Sequence, residues 1–143
     1  MAWSRDLIDS GARYKIYALK KGDRCDVNDF LKKCKKSNLQ KYTTLMALIR
    51  YIANNGPPNN KTQFKKLHSK DQDVYEIKIK PFRIFCCFHN HEIILTHGWK
   101  KEGNRKAEQN EQIKIASDRC AKYLDSLTQE LIKRYPQKVR KRR

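Results

Sequence analysis

At 143 residues the chain has room for one domain with a sizeable core. Lysine and arginine number 33 against 15 acidic residues, a net charge of +18 whose self-repulsion points to a polyanionic partner, most often nucleic acid. No run approaches the ~18 apolar residues of a membrane span, and five irregularly spaced cysteines exclude a disulfide scaffold. Nothing reads as a signal-peptide core or as a lysine-faced membrane-surface helix, so a cytoplasmic protein is expected, with no membrane partner.

Residues 1–12 carry no clear period and read as a loose lead-in, with Trp3, Leu7 and Ile8 free to dock on the body. Residues 14–19 are short, aromatic and aliphatic, a first strand, followed by a polar turn over residues 20–26 that contains Gly22. Asp26 reads as the N-cap of a helix whose stripe is Val27, Phe30, Leu31 and Cys34, with Lys32, Lys33, Lys35 and Lys36 on its wet side. Ser37 or Asn38 caps a second helix, striped by Tyr42, Leu45, Met46, Ile49, Ile52 and Ala53 and stopped by NNGPP at residues 54–58. Residues 59–73 read as a basic linker anchored by Phe64 and Leu67.

The densest strand signal follows. Over residues 74–80, Tyr75, Ile77 and Ile79 alternate with Glu76, Lys78 and Lys80, so one face buries and the other carries charge to solvent. Residues 82–88 place Phe82, Ile84, Cys86 and Phe88 on one face and Arg83, Phe85 and Cys87 on the other. The HNH segment at residues 89–91 has hairpin length and leads to a third strand over residues 92–99. After the polar KKEGNRK segment, a long helix over residues 106–134 keeps Ile113, Ala116, Cys120, Tyr123, Leu124, Leu127 and Leu131 on one face until Pro136 ends it. The division is one domain over residues 1–136 and a disordered basic tail over residues 137–143.

Soft ligands cluster at Cys86, Cys87, His89 and His91, but adjacent cysteines on a strand point to opposite faces and no second ligand pair has zinc-site spacing. No metal and no cofactor is expected. The glycines are scattered singly, which excludes a phosphate-cradling loop, and no serine or cysteine sits in a nucleophile elbow. Cleavage of RNA by its own 2′-hydroxyl needs only a proton acceptor, cations against the phosphorane charge and a proton donor. Glu76, Lys78, Arg83, His97, Lys100 and Lys101 are the candidate catalytic set, with Lys80, Arg105 and Lys106 as RNA-binding cations. In an antiparallel meander Lys78, Lys80, Arg83, Lys100 and Lys101 would converge on one side. The plain alternative is that these charges solvate the open face of a half-buried sheet.

The order strand, helix, helix and three strands, with VYEIKI at residues 74–79, FRIF at 82–85 and IILTHGWKK at 93–101, resembles the RelE/ParE toxin superfamily, and within it the HigB-like, phage-derived branch. That resemblance implies a small α+β domain: a curved antiparallel sheet of about four strands, helices packed on one face, N-terminal helices and a long C-terminal helix. It implies the toxin of a type II toxin–antitoxin module, a metal-independent endoribonuclease that inhibits translation by cutting mRNA on the ribosome. The implied partners are RNA and a cognate antitoxin with a helix-turn-helix DNA-binding domain. Lys78, Arg83, Lys100 and Lys101 match recurrent basic sites of the family, and Glu76 matches the acidic position of the HigB-like branch. EGNRKAEQ at residues 102–109 replaces that branch's Thr-x-Lys-Thr-Pro-like stretch, and no tyrosine follows the last strand, which leaves Glu76 or His97 to move the proton. The alternative is a non-catalytic ParE-like toxin acting on DNA gyrase, or a basic nucleic-acid-binding protein.

Overall fold

The computed structural model describes residues 3–69, 72–103 and 105–136. The tail expected at residues 137–143 lies outside the described residues. The elements are β1 (Trp3–Ser10), β2 (Lys15–Lys21), α1 (Asp26–Ser37), α2 (Leu39–Asn55), β3 (Phe64–Leu67), β4 (Val74–Ile79), β5 (Phe82–His89), β6 (Glu92–Lys100) and α3 (Lys106–Arg134).

The domain is α+β, but its sheet is not the expected four-stranded antiparallel one. Six strands form a mixed sheet in the order β1-β2-β6-β5-β4-β3. β2 and β6 run parallel, with Lys15 opposite Glu92 and Ala18 opposite Leu95. Two helices and three strands separate them in the chain, so no hairpin dictates their direction. The two unexpected strands, β1 and β3, are the sheet's edges. An edge strand pairs on one side only and is commonly charged, short or bulged, which erases the alternation that reveals a strand. In β1, Arg5, Asp6 and Asp9 interrupt the apolar positions and the register shifts between Leu7 and Asp9. In β3 the lysines Lys65 and Lys66 stand between Phe64 and Leu67, in the stretch that reads as a linker.

Nor do the helices share one face of the sheet. α1 and α2 bury Val27, Leu31, Leu45 and Ile49 against Ile77, Ile84, Cys86 and Leu95. α3 lies on the opposite face, where Ala116, Cys120 and Tyr123 meet Phe85, Cys87 and Ile94. Cys86 and Cys87 thus face opposite layers, as strand alternation requires. Asn38 caps α2 by accepting the Lys41 N–H at 3.1 Å. Asp26 does not cap α1. The N-cap is Cys25, without a side-chain acceptor, and the Asp26 carboxylate instead receives Arg24 and Arg119. Among the described residues no helix is long and apolar enough to cross a membrane.

Candidate functional site

Lys78 stands directly opposite Arg83 across the β4–β5 ladder, and Arg83 stands opposite Trp99 across β5–β6. Opposed residues share a face, so both cations rise on the side covered by α3, beside Glu76 two residues back along β4. Because that face is covered, Glu76 is not solvated as alternation suggests: it is 1% exposed. Its Oε1 accepts Arg83 Nη1 at 2.9 Å and lies 3.7 Å from Lys78 Nζ. Glu76 Oε2 and Arg83 Nε are buried with no hydrogen-bond partner among the described residues. A buried carboxylate is tolerated only when paired, so Glu76 fixes the place of both cations. Arg83, expected to stand clear of the core, keeps only 12% of its side chain exposed.

Burial pushes the Lys78 amine below the usual lysine range; Glu76 opposes this, while Arg83 and Lys65 add to it. Lys65 belongs to β3, opposite Glu76 on the same face, and its side chain is exposed. It joins the cluster that the linker reading of residues 59–73 hides. Trp99 is a further member that residue type alone does not single out. Its ring stacks over Phe85 at 6.5 Å, and Phe85 stacks over His97 at 5.0 Å, so an aromatic column backs the cations.

His97 is 7% exposed. Its Nε2 sits 2.8 Å from Gln112 Oε1 and its Nδ1 sits 3.2 Å from the Thr96 hydroxyl. Burial, partly opposed by Gln112, pushes the imidazole down to about 4, so it is neutral near pH 7. With Nε2–H donating to Gln112, the ring ties β6 to α3. That contact makes it a tether between sheet and helix.

The remaining basic residues diverge instead of converging. Lys100 lies opposite Phe82, on the side of α1, half-exposed and 3.8 Å from Glu102. Lys101 donates its amide to the Pro81 carbonyl at 2.9 Å and its amine to Gln109 Oε1 at 3.0 Å, which seats the start of α3 over the β4–β5 turn. Lys80 is exposed, and its carbonyl accepts the Lys41 amine. Arg105 and Lys106 are exposed at the α3 N-terminus, with Arg105 Nη1 3.9 Å from Glu108. Of the expected set, Glu76, Lys78 and Arg83 form a compact group, and Lys65, from outside that set, joins them.

A family model described as Phage derived protein Gp49-like (DUF891) matches residues 29–121, more than half of the chain. The chain belongs to the phage-derived Gp49-like family. The matched stretch takes in β3 to β6 and α3 as far as Ala121, hence the whole Glu76 cluster and the His97 tether of this Gp49-like protein. The family is associated with RelE-like toxins. No curated protein matches the chain.

Proposed function

We propose that this Gp49-like protein is the toxin of a HigB-like type II toxin–antitoxin module, and that it stops translation by cutting mRNA. The observation that carries the reading is the Lys78–Arg83 pair pinned by a buried carboxylate, with a third cation at Lys65 and an aromatic column alongside. That geometry holds Lys78 and Arg83 together beside Glu76, where they can meet the charge that develops on a phosphorane. The RNA 2′-hydroxyl attacks the adjacent phosphorus and the bond from phosphorus to the 5′ oxygen breaks, leaving a 2′,3′-cyclic phosphate and a 5′-hydroxyl end. Arg83 and Lys65 hold the phosphate. Lys78, with its lowered proton affinity, delivers the proton to the leaving 5′ oxygen. Glu76 Oε2, buried without a hydrogen-bond partner, takes the proton from the 2′-hydroxyl once Lys78, held only loosely at 3.7 Å from Oε1, moves aside to admit the strand. His97 keeps its tether. The cationic face suits an acidic segment of an antitoxin encoded next door, with a helix-turn-helix domain as the resemblance implies.

A second reading, a non-catalytic gyrase-directed or nucleic-acid-binding protein, draws support from the depth at which Glu76 and Arg83 neutralise one another. Induction in bacteria, with and without the neighbouring reading frame, separates the two. The nuclease reading expects discrete new mRNA 5′ ends by primer extension, suppressed by the partner and reduced about 100-fold in Lys78→Met. Filamentation with DNA damage and no new ends would establish the second reading in its place.

A further inference from the structure

On the other side of α3, at the same end of the sheet, lies a recess of about 220 Å3 bounded by Trp3, Lys21, Arg24, Asp26 and Arg119. We propose that it is a second site for single-stranded RNA, taking a base against the Trp3 ring and the adjoining phosphate on Lys21 and Arg24. The inference deepens the nuclease reading by adding a subsite for the same strand, and it rests on that reading only for which RNA arrives.

Local structure builds the recess. Lys21 and Arg24 exchange backbone hydrogen bonds of 2.9 and 3.1 Å around a turn with Gly22 at φ 62°, which sets their side chains side by side. Trp3 is the cross-strand partner of Lys21, and the Lys21 amine sits 5.3 Å from the Trp3 ring centre. The Arg119 guanidinium, from α3, lies 5.5 Å from the same ring. It also donates to Asp26 Oδ2 at 2.8 Å and to the Thr96 carbonyl at 3.4 Å.

Charge counting decides what the recess wants. Burial pushes the Asp26 carboxyl up, but hydrogen bonds from Arg24 and Arg119 outweigh it and hold Asp26 below the ordinary carboxylate range, so it stays ionised. One carboxylate therefore faces three cations. Arg24 keeps 78% of its side chain exposed and Lys21 is exposed as well. α1 begins here without a side-chain cap, and its first turn sets Asp26 and Asp29 against the partial positive charge of the helix end. An aromatic plane flanked by cations is the arrangement that holds single strands without reading their sequence. β1, β2, β6 and β5 are successive neighbours, so Trp3 and Arg83 stand three ladder steps apart, about 14 Å. A few nucleotides of single strand bridge that span across the α3 N-terminus. Trp3, Lys21, Arg24 and Asp26 all lie outside the residues matched by the Gp49-like family.

The test uses the full chain with Trp99→Phe, which leaves Trp3 as the single tryptophan. A short 2′-O-methylated oligouridylate, which cannot be cut, is titrated at low salt. Trp3 emission should be quenched, and the quench should persist when Lys78→Met is added. Lys21→Ala should weaken binding several-fold and lower the log–log salt slope by about 0.7. Trp3→Leu, followed by anisotropy of a labelled oligonucleotide, should weaken it about ten-fold. The inference is overturned by no quench, by an equal quench from inorganic phosphate or oligoglutamate, or by a quench lost in Lys78→Met yet unchanged in Lys21→Ala. A chain that binds here and cuts no mRNA would sink the nuclease reading and leave this site standing.

Discussion

Glu76 and Arg83 show how a pair of charges inside a protein divides its work between folding and function. With Glu76 1% exposed, removing Arg83 leaves a carboxylate that only the looser Lys78 contact offsets. Arg83→Ala should therefore lower unfolding free energy by about 3 kcal/mol, the scale for breaking a buried pair. Arg83→Lys restores charge but not the planar fork, and should recover part of the loss. Adding Glu76→Gln to Arg83→Ala should restore stability, with a coupling of about 2 kcal/mol in a urea-denaturation cycle. An unchanged midpoint in Arg83→Ala would reduce the pair to a surface contact. His97 supplies a separate signature in pH. Its folded value of about 4 lies below the ordinary 6.5. Between those values the unfolded chain takes up a proton that the folded chain refuses, so stability falls as pH drops through that window. The loss should reach about 3 kcal/mol by pH 4. His97→Gln, which cannot titrate, should flatten the thermal midpoint between pH 6.5 and pH 4.5; a slope that survives belongs to another group.

At the scale of elements, α1 and α3 clamp β6 from opposite faces, and each contact demands a particular side chain. Gly98 faces α1: a Cβ there would lie 2.1 Å from the Phe30 ring. The Phe30 ring packs edge-on against Phe82 at 6.0 Å and has little space to yield. Gly98→Ala should cost about 1–3 kcal/mol through overpacking, and Phe30→Ala in the same chain should make the second substitution nearly free. Additive losses would mean that α1 does not press on β6 at that point. On the other face, Gln112 reaches His97 and Gln109 reaches Lys101 from one side of α3. α3 thus locks both residues to itself rather than leaving them to a ligand, which is why the long basic run after β6 contributes so little to the cluster.

For the whole molecule, the excess of cations is distributed unevenly in its consequences. Lys32, Lys33, Lys35 and Lys36 line the exposed side of α1, where mobile ions screen them. Lys65, Lys78 and Arg83, and separately Lys21, Arg24 and Arg119, are gathered by the fold beside aromatic rings. The first kind supports non-specific attraction, and the second kind is the proposed path of a single strand. Deleting residues 137–143 removes Lys138, Arg140, Lys141, Arg142 and Arg143. The log–log salt slope of single-strand binding should then fall by about 0.7 for every phosphate that the tail had neutralised. Growth arrest on induction should persist, since the proposed clusters lie elsewhere. A folded but harmless truncation, by circular dichroism and growth assay, would place the functional surface on the tail.

Local patterning alone determined much of this architecture. The α3 stripe predicts residues 106–134, the bounds it adopts, because many turns of one apolar face outvote single polar residues. Ser37 or Asn38 announces α2, with Asn38 the cap it adopts, and the alternation of β5 assigns Phe82, Ile84 and Cys86 to one face and Arg83, Phe85 and Cys87 to the other. With the two strands paired as an antiparallel hairpin, the same alternation puts Lys78 and Arg83 on a common side, as their register does. What it could not supply is what covers a face. α3 begins more than twenty residues beyond Arg83, yet its packing turns an outward-looking row into a buried ion pair and a tethered histidine. Edge strands β1 and β3, the parallel β2–β6 pair, and the meeting of Trp3, Lys21 and Arg119 belong to the same category. Periodicity records which side chains share a side of one element, a property of neighbouring residues. Burial, pairing direction and the company of charges are set by elements distant in the chain, and only their packing decides them.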